Sequence, residues 1–236
     1  MFRHRKVYLW SNNHTRMRFK KKFSEEDLQR IKTAVRDAES KISGEIVPVI
    51  VERSGDYAIA NYKGSLIAGA LTFAAMVILD RYIIDAATHT LYYDPLFLFT
   101  VVAIGAGIGA LLPNLLPSLK RWLVSRAYLD ERCRQSAENA FLEEEIFNTR
   151  HRTGIMIFIS FFEHEVIVMA DRGISKVVEQ KEWDSIVEGL VSHIRAGKVV
   201  DGIESAVKTC GDLLLEKGFH KTSDDINELR DDLRIN

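Results

Sequence analysis

Two kinds of apolar pattern run along this chain. In the first, hydrophobic residues recur three and four apart. From Phe23 to Lys41 the positions Leu28, Ile31, Val35 and Ala38 share one stripe, which predicts an amphipathic helix. Ser24 suits its N-cap, and Asp27 stands at capping-box spacing. Gly44 breaks it. "EIVPVIV", Glu45 to Val51, then reads as a strand, and Pro48, which has no N–H to give a neighbour, places that strand near a sheet edge. The same style of pattern resumes at Ser118. Ser118 to Phe147 is expected to be one long helix with Trp122, Leu129, Ala137, Phe141 and Ile146 turned inward. Gly154 to Phe162 and Glu165 to Ala170 read as strands joined at Glu163-His164. Trp183 to Ala196 and Asp201 to Lys217 read as helices. Their inner faces hold Ile186, Val187, Leu190 and Ile194, then Ile203, Val207, Leu213 and Leu214. Trp183 is either core or an anchor for a partner.

In the second pattern there is no polar face. Ser65 to Leu79 is uncharged and "DRYII" extends it; Leu96 to Leu112 is uncharged throughout. With their flanks, both approach the roughly 20 residues that cross a bilayer. A pair of buried core helices would also be apolar all round. The flanks favour lipid: Tyr57, Tyr62 and Lys63 before the first stretch, Tyr82, Tyr92 and Tyr93 between the two, Trp122 after the second. Residues 64–117 are therefore expected to be a transmembrane hairpin, meeting the bilayer through 64–84 and 96–117. The connector from Asp85 to Pro95 has no Lys or Arg, whereas Arg53, Lys63, Lys120, Arg121 and Arg126 lie on the other side. Positive residues stay inside, so both termini and the soluble part are expected in the cytoplasm. Arg81 can snorkel to the outer headgroups. Asp80 is either a functional carboxylate in the membrane or an interfacial neighbour of Arg81. Gly105, Gly107 and Gly109, with Gly64 and Gly69 opposite, should let the two helices approach closely. Pro113 and Pro117 mark the end of the second span.

A short N-terminal helix and strand cannot bury themselves alone; the strand needs the sheet downstream. The expected fold class is therefore α/β, a small mixed sheet flanked by helices and interrupted by the hairpin. Its parts are a basic, disordered N-terminal segment (1–22), a first domain portion (23–57), the hairpin (64–117), and a second portion with an acidic tail (118–236). A strand–helix–strand crossover makes the first two strands parallel. Glu45, Arg150, Arg152, Thr153 and Asp171 then converge at one rim of the sheet, the one facing away from the bilayer.

Charge and cysteine content add exclusions. The net charge of −1 over 236 residues carries no nucleic-acid signature. Residues 1–22 are basic, and Asp224, Asp225, Glu228, Asp231 and Asp232 make the tail acidic; both read as solvated ends. Cys133 and Cys210 form no C-x-x-C pair, so neither a disulfide framework nor a zinc site is expected. The N-terminus lacks the apolar core of a secretory signal.

Four stretches together resemble the TPM domain family: "SEEDLQRIKTAVRDAESKISGEIVPVIVERSGDY", "AFLEEEIFNTRHRTGIMIFISFFEHEVIVMADRGI", "EWDSIVEGLVSHIRAG" and the closing "NELRDDL". The chain looks most like a bacterial branch with a membrane hairpin inserted after the first strand, which implies the bacterial inner membrane. Met17 resembles the usual start in that branch. Arg230 stands where the family often has proline. The resemblance implies weak acid phosphatase activity, calcium binding, or an assembly or modulatory role in membrane complexes. It marks Asp171, Arg172, Gly173, Asn227 and Glu228 as motif positions.

Three readings of the rim follow. Calcium needs six to eight oxygens; Glu45, Asp171, Glu228 and Asp231 or Asp232 can offer some, without a continuous calcium loop. Otherwise Asp171 caps, or pairs with Arg152 or Arg172. In phosphatase chemistry, Arg150, Arg152 and Arg172 would hold phosphate and Asp171 would be acid or nucleophile, yet no phosphate-cradling glycine loop or cysteine nucleophile motif accompanies them. His151 and His164 read as surface residues at turns. The reading that spends the residues best is an accessory, assembly or interaction factor of a membrane-protein complex; the alternative is a weak calcium-dependent phosphatase.

Overall fold

The computed structural model describes residues 7–8, 23–82, 94–221 and 228–235. The chain forms two compact units: residues 1–55 with 130–236, and residues 56–129.

The first unit is built on a mixed sheet. β2 (Glu45–Val51) and β3 (Gly154–Ser160) pair in parallel, residue for residue, from Glu45↔Gly154 to Val51↔Ser160. β4 (Glu165–Ala170) returns antiparallel to β3. Two-residue strands close the edges: β1 (Val7–Tyr8) beside β4 and β5 (Arg234–Ile235) beside β2, giving the order β1-β4-β3-β2-β5. Val7 and Tyr8 fall within the segment expected to be disordered, but both are good strand formers. The other residues of 1–22 lie outside the described residues.

Strand alternation sorts the side chains between two cores. Ile46, Ile50, Ile155, Ile157, Ile159, Val166 and Val168 face one side, under α1 (Glu25–Glu39), α7 (Gln180–Arg195) and α8 (Val199–Glu216). Val47, Val49, Val51, Met156, Phe158, Ile167 and Met169 face the other, with Cys133, Ala137 and Phe141 of α5 (Arg126–Glu143). With apolar layers on both sides, all three long strands are buried along their whole length. The inner faces expected for α7 and α8 are buried, and Trp183 is core at 3% exposure. At α1, Ser24 Oγ accepts from the Asp27 N–H at 3.1 Å and Asp27 Oδ2 accepts from the Ser24 N–H at 2.9 Å, completing the capping box.

Pro48 sits where its missing N–H costs least. The Glu45 N–H reaches the Thr153 carbonyl of the loop entering β3 (3.3 Å), and the Phe161 N–H following β3 reaches the Val51 carbonyl (3.2 Å). The Ile46 N–H points the opposite way, to Glu39 Oε1 at 2.8 Å. Pro48 shares the parity of Ile46, so no hydrogen bond to β3 is lost. On that outer side β5 pairs only with Val49 and Ile50.

One expectation needs correcting. The helix read from Ser118 to Phe147 is two helices, α4 (Pro117–Leu123) and α5, broken at Val124 in extended backbone. Val124 is β-branched, and the Ser125 carbonyl receives the first helical bonds of α5, from the Tyr128 and Leu129 N–H groups (3.1 Å each). Trp122, expected to turn inward, is 77% exposed.

The second unit holds α2 (Ile59–Tyr82), α3 (Pro95–Leu115) and α4. α2 and α3 have the length and composition to cross a membrane, and only 17% and 6% of their most apolar windows are buried. They pack antiparallel on small residues. A Cβ on Gly64 would collide with the Gly109 carbonyl oxygen, and one on Gly105 with the Thr72 hydroxyl. Gly107 differs from expectation: a Cβ there would meet nothing within 4 Å. Two residues from both Gly105 and Gly109, it projects from another face of the helix. Tyr62 and Tyr82 are exposed, as interfacial residues should be, but Tyr57 is buried and packs edge-on against Tyr128, ring centroids 6.1 Å apart. Asp80 is half-buried and Arg81 exposed at the end of α2; Tyr92 and Tyr93 lie outside the described residues.

Candidate functional site

The rim where β2 and β3 begin and β4 ends is assembled around the loop between α5 and β3. Arg152 adopts a left-handed backbone (φ 56°), and its N–H returns to the Thr149 carbonyl at 3.1 Å. Thr149 Oγ1 accepts from the N–H of buried Thr153 at 3.0 Å. The Arg152 guanidinium folds back on its own loop. Nη1 donates to the Phe147 carbonyl at 2.7 Å, and the group lies 5.9 Å from the centre of the Phe147 ring.

Asp171 follows β4 and caps the short helix α6 (Arg172–Ser175). Its Oδ1 accepts from the Arg172 N–H at 2.7 Å, and its own N–H donates to the Gly154 carbonyl at 2.9 Å. Arg152 Nη1 lies 3.7 Å from Asp171 Oδ2. The Gly173 N–H donates to the Arg152 carbonyl at 3.0 Å, so close that a Cβ would stand 2.6 Å from that oxygen. Glycine at 173 thus lets α6 lie against the loop. Arg172 itself is exposed. Asp171 therefore takes the capping and pairing role, with Arg152 as its ionic partner.

The tail closes the rim. The Glu228 carboxylate accepts from the Arg150 N–H at 2.9 and 3.2 Å, while the Glu228 N–H donates to Glu45 Oε1 at 3.1 Å. Asp231 Oδ2 accepts from Arg36 Nε at 3.3 Å, and Asp232 pairs with Lys32 at 2.8 Å. The largely buried Arg234 pairs with Glu144 at 2.5 Å and donates to the Arg230 carbonyl at 2.9 Å. Residues 228–235 thus lash α1, the rim and the end of α5 together before joining β2.

Two polar clusters were not singled out from the sequence. The first centres on Glu39, 7% exposed at the end of α1. Its Oε1 accepts from the Ile46 N–H; Oε2 is buried without a hydrogen-bond partner. Burial pushes its carboxyl up to about 8, the Ile46 N–H opposes that shift, and the nearby Glu45 and Asp231 charges add to it. The signal was present: Glu39 stands four residues beyond Val35, on the apolar stripe. The second cluster lies at the opposite end of the strands, where Ser160, Glu163, Glu165 and Cys133 are all buried. Glu163 accepts from the Ser54 N–H at 2.8 Å and from the Ser160 hydroxyl. Burial first, then the charges of Glu165 and Glu163, push the Cys133 thiol up.

Glu45, Glu228 and Asp231 already accept from backbone or arginine N–H groups, and among the described residues no three His, Cys, Asp or Glu side chains converge as a metal site. Asn227, Asp224 and Asp225 lie outside the described residues. Each of the carboxylates of Glu45, Asp171, Glu228 and Asp231 neutralises a cation or satisfies a backbone donor, and so holds the loops of the rim together.

Residues 123–213 match the family model of the TPM domain, a stretch running from the end of α4 through most of α8. The fold is similar to that in the "NMR structure of BA42 protein from the psychrophilic bacteria Bizionia argentinensis sp. nov.". The TM-score is 0.55 at 17% identity, over 91% of this chain and 95% of that one, a likeness of fold alone. No curated protein matches. Over that stretch the chain is similar to the TPM domain. α1 and β2, outside the matched stretch, complete the sheet that the matched strands begin.

Proposed function

We propose that this protein is a membrane-anchored TPM-domain factor that acts as an accessory, assembly or interaction component of a membrane-protein complex. It resides in the bacterial inner membrane with both termini and the domain in the cytoplasm. The observation that carries this reading is the hairpin. Its two helices present apolar surface outward over most of their length, including Leu66, Leu71, Phe99 and Leu111. Exposed apolar area of that extent marks a surface for lipid or for other membrane helices. The rim supports the same reading, because its carboxylates are spent on structure.

The test is purification of the full chain from native membranes in mild detergent, with the mass of the particle and its contents measured. A larger particle of constant composition is expected. A solitary monomer in several detergents, or release of the chain by alkaline carbonate, would overturn the reading. The alternative, a weak calcium-dependent phosphatase, centres on Asp171 with Arg152 and Arg172. Phosphate-ester hydrolysis that is unchanged in Asp171→Ala would remove that site.

A further inference from the structure

The unit of residues 56–129 gathers all its lysines and arginines except Arg81 where α2 begins and α3 ends. Lys63, in the second turn of α2, donates through Nζ to the Leu123 carbonyl at 3.0 Å and so holds the end of α4 against the start of α2. Lys120 Nζ reaches Asn114 Oδ1, in the last turn of α3, at 3.3 Å. Arg121 is half-buried, and its guanidinium is held below its ordinary value by burial and then by the charge of Arg126. Apolar surface lies beside these cations: Leu115 is 61% exposed, Leu116 44% and Trp122 77%. Clustered Lys and Arg next to an exposed tryptophan and leucines, at the ends of apolar helices, match a headgroup layer with acyl chains beneath it. Two guanidiniums near enough to oppose each other's charge favour an anion between them, and a phosphate can accept from each.

We propose that Lys63, Lys120, Arg121 and Arg126 form a binding site for the headgroup phosphate of an anionic phospholipid, with Trp122 lying at the acyl boundary. This rests on the membrane anchoring proposed above. It goes beyond that reading because it assigns selectivity among lipids to four named residues.

The test reconstitutes the full chain in phosphatidylcholine vesicles and compares the association of spin-labelled phosphatidylglycerol and spin-labelled phosphatidylcholine by electron paramagnetic resonance. At roughly fivefold per well-placed cation near the surface, a preference of at least about fivefold for phosphatidylglycerol is expected. Arg121→Gln with Arg126→Gln should bring the ratio close to unity. Arg121→Lys with Arg126→Lys should retain most of it, and Lys198→Gln, on the exposed surface of the other unit, should change nothing. Equal association of the two lipids, or a preference that survives the double glutamine variant, overturns the proposal. So does a preference abolished by about 10 mM inorganic phosphate, which would indicate a free-anion site. Flotation separates the two levels: a chain that inserts but shows no preference overturns the lipid site alone, and a chain that fails to insert overturns the anchoring with it.

Discussion

Glu39 makes the domain's stability depend on pH in a direction opposite to that of most carboxylates. In the unfolded chain it ionises near 4.5; in the folded domain its carboxyl is pushed up to about 8. A raised folded value means the contribution is fully present below the unfolded value and lost as pH rises through the folded one. Stability should therefore fall between about pH 4.5 and pH 8 at up to about 1.4 kcal/mol per pH unit, and flatten above that. Over the whole window the ceiling is about 5 kcal/mol; entry of water to the ionised group should reduce it to roughly half. Glu39→Gln keeps an oxygen for the Ile46 N–H and removes the titration. The measurement is the difference in unfolding free energy between wild type and Glu39→Gln, from denaturant titrations of the solubilised protein at half-unit steps from pH 5 to 9. Taking the difference cancels the titrating groups that do not interact with Glu39, and leaves Glu39 with its coupling to Glu45, Asp231 and Lys221. The variant should gain on wild type steadily up to about pH 8. Two parallel profiles would refute the reasoning, because they would mean Glu39 ionises as easily in the folded domain as in water.

Three further outcomes follow from the same geometry. Gly154→Ala places a Cβ against the Ile146 carbonyl oxygen, backbone that cannot rotate away, and should cost about 2–3 kcal/mol by chemical denaturation; an unchanged midpoint would mean that the loop before β3 yields freely. Asp171→Ala removes a buried helix cap and should cost about 1–3 kcal/mol, whereas Arg152→Ala, whose side chain is 56% exposed, should cost under about 1 kcal/mol; equal losses in thermal unfolding would contradict the capping role. Cys133 and Cys210 are both fully buried, and burial pushes the Cys210 thiol up to about 12, so neither should react with a bulky maleimide at pH 7.5 until denaturant is added; fast labelling of the native protein would contradict the packing.

The sequence disclosed what is periodic. The stripe from Leu28 to Ala38 and the alternation in β2, β3 and β4 each repeat a local rule several times, so the helix, the strands, the parallel pairing and the apolar hairpin were all legible. The grouping of Glu45, Arg152, Thr153 and Asp171 followed from strand direction. The break at Val124–Ser125 was hidden because one β-branched residue and one serine interrupt a long helical pattern only weakly. The tail reads from sequence as a solvated acidic end, but residues 228–235 are tied to the domain. Its contacts join Glu228 to Arg150 and Asp231 to Arg36, 78 and 195 residues apart, and such polar pairs leave no period to detect. Glu39 is hidden for the converse reason: a carboxylate on an apolar stripe resembles an ordinary surface residue, and only the fold brings the Ile46 N–H beneath it.

The unbroken parallel register between Glu45–Val51 and Gly154–Ser160 also constrains biogenesis. Strands that exchange backbone hydrogen bonds must share one aqueous compartment, so whatever bilayer the intervening helices enter, the chain has to traverse it an even number of times before Gly154. A ribosome releases α1 and β2 well before their partner strand exists, and if the hairpin crosses a bilayer the sheet can close only after both crossings are made. Closure of the sheet therefore acts as a checkpoint on insertion: a polypeptide that threads only once strands its two halves on opposite sides and never folds.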